Sequence, residues 1–263
     1  MLSEVADGVL VRQSSYCLSN AVVVSAQSAV LLVDPGVDGN DLVELADELD
    51  ALDVVTTAGF STHPHWDHLL WHSRFNDVPR YGTRECAAVA RRQLGKIRDM
   101  AARFAPGVPL DLVGAITALP TNAAAYLPMH GRRIRVIGHE AHAPGHAALL
   151  IEDSRVLVAG DMLSDVEIPL LDPNAPNDQC QEYLAALDLL EAVCENGATV
   201  VIPGHGNVAQ GAEIRARIES DRAYVHALQS GEELSDPRVG PDATYGTDWL
   251  PEAHANNLRV ARH

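Results

Sequence analysis

His63-Pro64-His65-Trp66-Asp67-His68 places three imidazoles and a carboxylate in six residues, directly behind an apolar run. Neutral imidazole nitrogens and carboxylate oxygens are the donors that borderline divalent ions such as Zn²⁺ prefer, and a tight turn can aim four of them at one point. Any one of these histidines, taken alone, reads as a solvated group on a polar turn. The four together do not, because the chain's own composition yields only about 0.002 such windows by chance. The pattern therefore predicts metal ligation. Three further donors follow: His146 in Ala143-Pro144-Gly145-His146, Asp161 in Ala159-Gly160-Asp161, and His205 in Pro203-Gly204-His205-Gly206. Each sits where a strand should end in a turn of small residues.

The 263 residues are ample for a large core and stand at the upper edge of one domain, so a single domain over 1–263 is expected. Apolar residues make up 47% of the chain, yet no uninterrupted apolar run approaches the roughly 18 residues of a membrane span. Met1-Leu2-Ser3-Glu4 lacks the basic and apolar regions of a leader, which points to the cytoplasm. Cys17, Cys86, Cys180 and Cys194 lie far apart with no C-x-x-C, so they are expected to be buried thiols. A net charge of −17 opposes phosphate backbones and anionic lipid surfaces. A small molecule, rather than nucleic acid or membrane, is the expected partner.

Val22 to Ser25 and Ala29 to Val33 are rich in β-branched residues around a turn at Gln27 and read as paired strands, with Asp34 at the end of the second. Asp41 to Leu49 has the helical repeat, with Asn40 as its N-cap, and Val54 to Ser61 is a strand that delivers the histidine cluster. Ile134 to Ile137, Ala147 to Glu152, Arg155 to Ala159 and Thr199 to Ile202 read as strands, and Gln181 to Cys194 as an amphipathic helix. Val30 to Asp34 and Val156 to Asp161 are similar apolar runs ending in an acid, an echo that suggests two related halves. Periodicity alone yields a layered α/β protein.

Within residues 82–130, Cys86, Val89, Ala90, Leu94, Ile97, Ala101 and Phe104 form one apolar helical stripe, expected to cap a pocket. Arg84, Arg91, Arg92, Lys96, Arg98 and Arg103 fall away from that stripe and are expected to face water rather than a ligand. Residues 211–263 form a tail that begins as a helix; His254 and Asn257 are weak candidates for substrate contact, more readily read as an exposed terminal pair. Trp66 and Trp71 read as packing groups, and His72, His139 and His142 as residues outside the ligand shell.

In motif order, spacing and context from Ser19 to Gly206, the chain resembles the metallo-β-lactamase superfamily. Asp34-Pro35-Gly36 stands where that family usually shows Asp-Thr-Gly, and the long separation of His68 from His146 marks 82–130 as an insertion. The resemblance implies a four-layer αβ/βα sandwich of the metallo-β-lactamase type with a helical insertion. It also implies two divalent metal ions, Zn foremost, with Fe or Mn as alternatives. His63, His65 and His146 would hold one metal, Asp67, His68 and His205 the other, and Asp161 would bridge them. Two close cations lower the pKa of a shared water from about 15.7 toward neutrality, which supplies a hydroxide without a protein base. Asp67 would orient that hydroxide, and Asp34 would fix a ligand imidazole.

Departures within the family narrow the activity. Asp161 stands where one class of true β-lactamases has a cysteine, and His65 where flavodiiron reductases place glutamate. Ala147 follows His146 where many relatives have threonine. A hydrolase of esters, lactones or thioesters, resembling the glyoxalase II-like and acyl-homoserine-lactonase-like branch, is the expected reading. A mononuclear iron persulfide dioxygenase is the alternative; a β-lactamase and a non-catalytic scaffold stand behind both.

Overall fold

The computed structural model describes residues 1–120, 126–232 and 236–262; residues 121–125 of the expected insertion, and 233–235 and 263 of the expected tail, lie outside them. Four strands open the chain as an antiparallel meander: β1 (Ser3–Ala6), β2 (Val9–Gln13), β3 (Asn20–Ala26) and β4 (Ala29–Val33). Helix α1 (Gly39–Ala51) then crosses over so that β5 (Val55–Phe60) pairs parallel with β4, and β6 (Arg80–Gly82) and β7 (Thr117–Ala118) continue in parallel. The sheet order is β1-β2-β3-β4-β5-β6-β7.

The second sheet runs β12-β11-β10-β9-β8, built from β8 (Ile134–His139), β9 (His146–Ile151), β10 (Val156–Gly160), β11 (Val200–Pro203) and β12 (Ala209–Gln210). Its one parallel pair, β10 with β11, is joined by α4 (Gln179–Glu195), since parallel neighbours need a long crossover. The remaining helices are α2 (Arg84–Arg92), α3 (Leu94–Phe104), α5 (Ala212–Ser230) and α6 (Leu250–Val260). Among the described residues no helix is long and apolar enough to cross a membrane.

Strand alternation creates the four layers. Val22, Val24, Leu31 and Val33 of the first sheet meet Leu149, Val156, Val158 and Ile202 of the second in a central core. Their chain neighbours Ala21, Val23, Val30 and Leu32 point the other way, onto Leu42, Leu45 and Leu49 of α1 and Ile97 and Ala101 of α3. Leu157, Ala159 and Val201 likewise face Tyr183, Leu187 and Leu190 of α4 and Ile218 and Val225 of α5. Both faces of each sheet are therefore buried, which is why these strands read as near-continuous apolar runs.

Two local expectations are corrected. Helix α1 is capped by Asp38, whose carboxylate accepts from the Asp41 backbone N–H at 2.9 Å, not by Asn40, which lies within the first turn. The single apolar stripe of 82–130 is carried by two helices that break at Gln93, whose backbone (φ −106°, ψ 15°) leaves the α region. Arg84, Arg91, Arg92, Lys96 and Arg103 are exposed, as expected, whereas Arg98 is half-buried and its guanidinium donates to the carbonyls of Asp111 and Val113. Cys86 and Cys180 are buried as expected, whereas Cys17 and Cys194 are half-exposed; all four are free thiols.

Candidate metal centre

The ends of β4, β5, β10 and β11 and the turn before β9 converge on one edge of the sandwich. There Asp34 turns inward with φ +47°, a left-handed conformation uncommon outside glycine. Its carboxylate accepts from the Thr62 backbone N–H (3.0 Å) and the Thr62 hydroxyl (2.7 Å), and lies 2.9 Å from His68 Nδ1. Thr62 Oγ1 also meets His63 Nδ1 at 3.0 Å. One buried carboxylate thus fixes His68 directly and His63 through Thr62, leaving both Nε2 atoms turned toward the centre.

Asp161, delivered by the end of β10, stands among the imidazoles. Its Oδ1 is 3.2 Å from His68 Nε2, and its Oδ2 is 3.4 Å from His63 Nε2, 3.3 Å from His142 Nε2 and 3.7 Å from His205 Nε2. His65 Nδ1 lies 3.1 Å from both His63 Nε2 and His142 Nε2. Asp67 Oδ2 is 3.3 Å from His205 Nε2 and 3.5 Å from His68 Nε2. His205 is oriented from behind by the Cys17 carbonyl, 2.8 Å from its Nδ1. A Cβ at Gly204 would collide with the Asp161 carboxylate, so only glycine lets the His205 turn pass this close.

Three groups of donors lie close enough to hold an ion: His63, His65, His142 and Asp161; Asp67, His68 and His205; and Asp161, Glu167 and His205. The chemistry of these donors fits a divalent cation. His68 Nε2 and Asp161 Oδ1 are buried and have no hydrogen-bond partner in the protein, an arrangement whose cost a metal removes. Charge agrees. Burial would strip the proton from His205, but Asp161, Glu167 and Asp67 outweigh it and push its pKa up to about 10. Burial raises Asp67 while His68 and His205 pull it down to about 2. The carboxylates thus demand positive charge at this spot.

Of the expected ligands, His63, His65, Asp67, His68, Asp161 and His205 are brought together. His146 is not in these groups: its Nδ1 faces the Ala141 carbonyl at 3.1 Å, and its Nε2 is packed against Gly160, where any Cβ would overlap it. Its ring packs tilted between those of His63, with 4.7 Å between centroids, and His139 at 4.4 Å. His142, expected outside the ligand shell, lies in the first group, while His146 Nε2, like His68 Nε2, is buried with no hydrogen-bond partner in the protein. The backbone of this turn carries a φ of +69° at His142 and +70° at Gly145, and the His142 ring faces Asp161.

Glu167 escaped sequence reading because it lies in a loop with no motif. Burial raises its pKa, its Oε1 accepts from Tyr245 Oη at 2.8 Å, and the same oxygen is 3.9 Å from His205 Nδ1. His254 and Asn257 lie behind the cavity wall. The Asn257 amide accepts from the Leu171 backbone N–H and donates to the Pro169 carbonyl, and His254 Nδ1 is 2.8 Å from Tyr224 Oη. Far from being an exposed pair, Asn257 is 2% exposed and holds the loop in front of it. Trp71 packs on Phe75 as expected.

A cavity of about 770 Å³ opens over the donors, with His65, Asp67, His142, Asp161 and His205 on its floor and Val89, Leu170, Leu171 and Trp249 among its walls. Five histidines and two aspartates gathered at one edge of a four-layer sandwich form a site that could hold a metal. The chain belongs to the metallo-β-lactamase superfamily, in general metal-dependent hydrolases, whose family model matches residues 15–205. No curated protein matches it in sequence. In structure it is similar to a metallo-β-lactamase family protein from Thermus thermophilus (22% identity, TM-score 0.69, covering 98% of this chain and 92% of that one). It is also similar to a β-lactamase domain protein from Burkholderia ambifaria (21%, 0.65, 99% and 89%) and a metallo-β-lactamase from Pontibacter korlensis (16%, 0.54, 83% and 97%). At these identities the likeness is one of fold.

Proposed function

We propose that this chain is a binuclear metal-dependent hydrolase that cleaves an ester, lactone or thioester of a small molecule, on the glyoxalase II-like and acyl-homoserine-lactonase-like side of its superfamily. The observation that carries the reading is the position of Asp161, within 3.2–3.7 Å of histidines from two adjoining donor groups. His63, His65 and His142 would hold one divalent ion, Asp67, His68 and His205 the other, with Asp161 between; zinc suits this nitrogen and oxygen set. Bound there, the ions would activate water and polarise the scissile carbonyl.

The chain's own residues do the positioning. Asp34 and Thr62 lock His68 and His63, the Cys17 carbonyl locks His205, and Asp67 stands at the cavity floor to orient the attacking water. Val89, Leu170, Leu171 and Trp249 offer apolar walls that exclude bulk water from an acyl group. Helices α2 and α3 serve as the lid, since Val89, Gln93 and Lys96 reach the cavity from α2, their junction and α3. Four free thiols suit a reducing cytoplasm.

Elemental analysis of the purified protein should find two zinc-class ions per chain, and a panel of lactone, thioester and phosphodiester substrates should find turnover among the first two. One iron with no zinc would replace this reading by the persulfide dioxygenase. The ligand choice is tested separately: His142→Ala should lose about one equivalent of metal after dialysis, while His146→Ala keeps both. The reverse result would return His146 to the ligand position.

A further inference from the structure

We propose that Tyr245 is a positioning residue for the metal centre: its hydroxyl, held between the Cys17 carbonyl and the Glu167 carboxylate, fixes the ring of His205 from behind. The proposal rests on the metal-ligand role given to His205 above and goes beyond it, without depending on a particular reaction. Tyr245 stands 228 residues from Cys17 and 78 from Glu167, yet its Oη lies 3.0 Å from the Cys17 carbonyl oxygen and 2.8 Å from Glu167 Oε1. The same carbonyl oxygen is 2.8 Å from His205 Nδ1, and the same carboxylate oxygen is 3.9 Å from it. With Nε2 given to a metal, Nδ1 carries the ring's proton. Two acceptors therefore stand near one imidazole N–H, and the phenol of Tyr245 touches both.

The Cys17 carbonyl needs such a hold. Cys17 and Leu18 are consecutive non-glycine residues in the left-handed region, with φ +56° and +46°, a backbone that persists only where its surroundings impose it. Leu18 is tied through its own carbonyl, which accepts from the Gly206 backbone N–H at 3.0 Å, whereas the Cys17 carbonyl meets His205 and Tyr245. Tyr245 is itself anchored on both sides. Before it, the Arg238 guanidinium donates to the buried Asp221 and to the carbonyls of Ser164 and Glu167. After it, Gly246, at φ +61°, turns the chain into α6, and Leu250 enters the core. The hydroxyl is thus delivered to a fixed point. Removing it leaves the buried Glu167 carboxylate without its donor and free to compete with the Cys17 carbonyl for Nδ1. The His205 ring would then tilt and carry Nε2 away from the position it shares with Asp67 and His68.

The test measures Zn²⁺ affinity of the full chain by competition with a chromophoric chelator, together with the visible spectrum of the Co²⁺-loaded protein. Tyr245→Phe removes the hydroxyl and keeps the ring. It is expected to bind the ion that His205→Ala loses about tenfold more weakly than wild type, the lower end for a group that orients a metal ligand, and to change the Co²⁺ spectrum. In the double variant the remaining ion should be held as in His205→Ala alone, because the tyrosine acts through the histidine. Tyr224→Phe is the control. It deletes another buried hydroxyl, one that serves Asn257 and His254 and touches no donor of the site, and should bind Zn²⁺ as wild type does. Equal affinities and spectra in wild type and Tyr245→Phe overturn the proposal, as does an equal loss in Tyr245→Phe and Tyr224→Phe, which would mean general loosening. A His205→Ala variant that keeps every ion also overturns it, and a wild type that binds no Zn²⁺ removes it together with the metal reading. If the affinities behave as expected and no ester is cleaved, the role of Tyr245 stands and the hydrolase reading falls.

Discussion

Asp161→Ala is expected to lose about one equivalent of bound metal and to lower turnover by at least about 10²-fold. The geometry gives this change its weight. The carboxylate of Asp161 contacts His63, His68, His142 and His205, and without it those four imidazoles share no acceptor at the centre of the site. Nothing on the opposite side compensates, because Gly204 has no side chain to fill the gap and Asp67 is shared only between His68 and His205. Asp161→Asn keeps the volume, removes the charge and should fail in the same direction, which separates electrostatics from packing. Elemental analysis and turnover on the same samples, with circular dichroism to confirm folding, check the result. Full metal content and wild-type rates in both variants would end the bridging role.

The site is legible in sequence wherever a donor is tied to a regular element. His63, His65, Asp67 and His68 follow the apolar strand β5, while Asp34, Asp161 and His205 close β4, β10 and β11; in each case a burial pattern of alternating or continuous apolar residues ends at a named donor. What is illegible depends on backbone turns and on contacts distant in sequence. Three histidines fall within eight residues at 139–146, and a left-handed φ at His142, which no propensity predicts, decides which of them faces inward. Glu167 acquires its place through Tyr245, far along the chain, and Asn257 through Leu171. Helical phase puts Lys96 in water, where it is exposed, but does not show that it also borders the cavity, which depends on the break at Gln93. The layers survive such errors because two-sided burial of β3, β4 and β10 is a property of composition, which a local kink does not disturb.

Chelation followed by verified metal loss is expected to abolish hydrolysis, with Zn²⁺ or Mn²⁺ restoring it, and a single turnover in ¹⁸O-labelled water should place the label in the released acid. The second expectation follows from what the cavity does not offer. Its one thiol, Cys17, is held toward the protonated form, with burial and the charges of Asp67 and Glu167 raising its pKa to about 11, so it is a poor nucleophile near neutral pH. Among the described residues no serine lines the cavity, and the chain has no G-x-S-x-G elbow to present one. Asp67 and Asp161 are engaged with the site histidines and Glu167 with Tyr245, which leaves Lys96 and Asp172 as the other reactive side chains of the lining. With neither a low-pKa thiol nor a serine elbow in the cavity, the oxygen is expected to come from solvent, and burst kinetics should be absent. A trapped acyl-protein adduct, an unlabelled acid, or full activity in protein shown to be free of metal would each refute the mechanism.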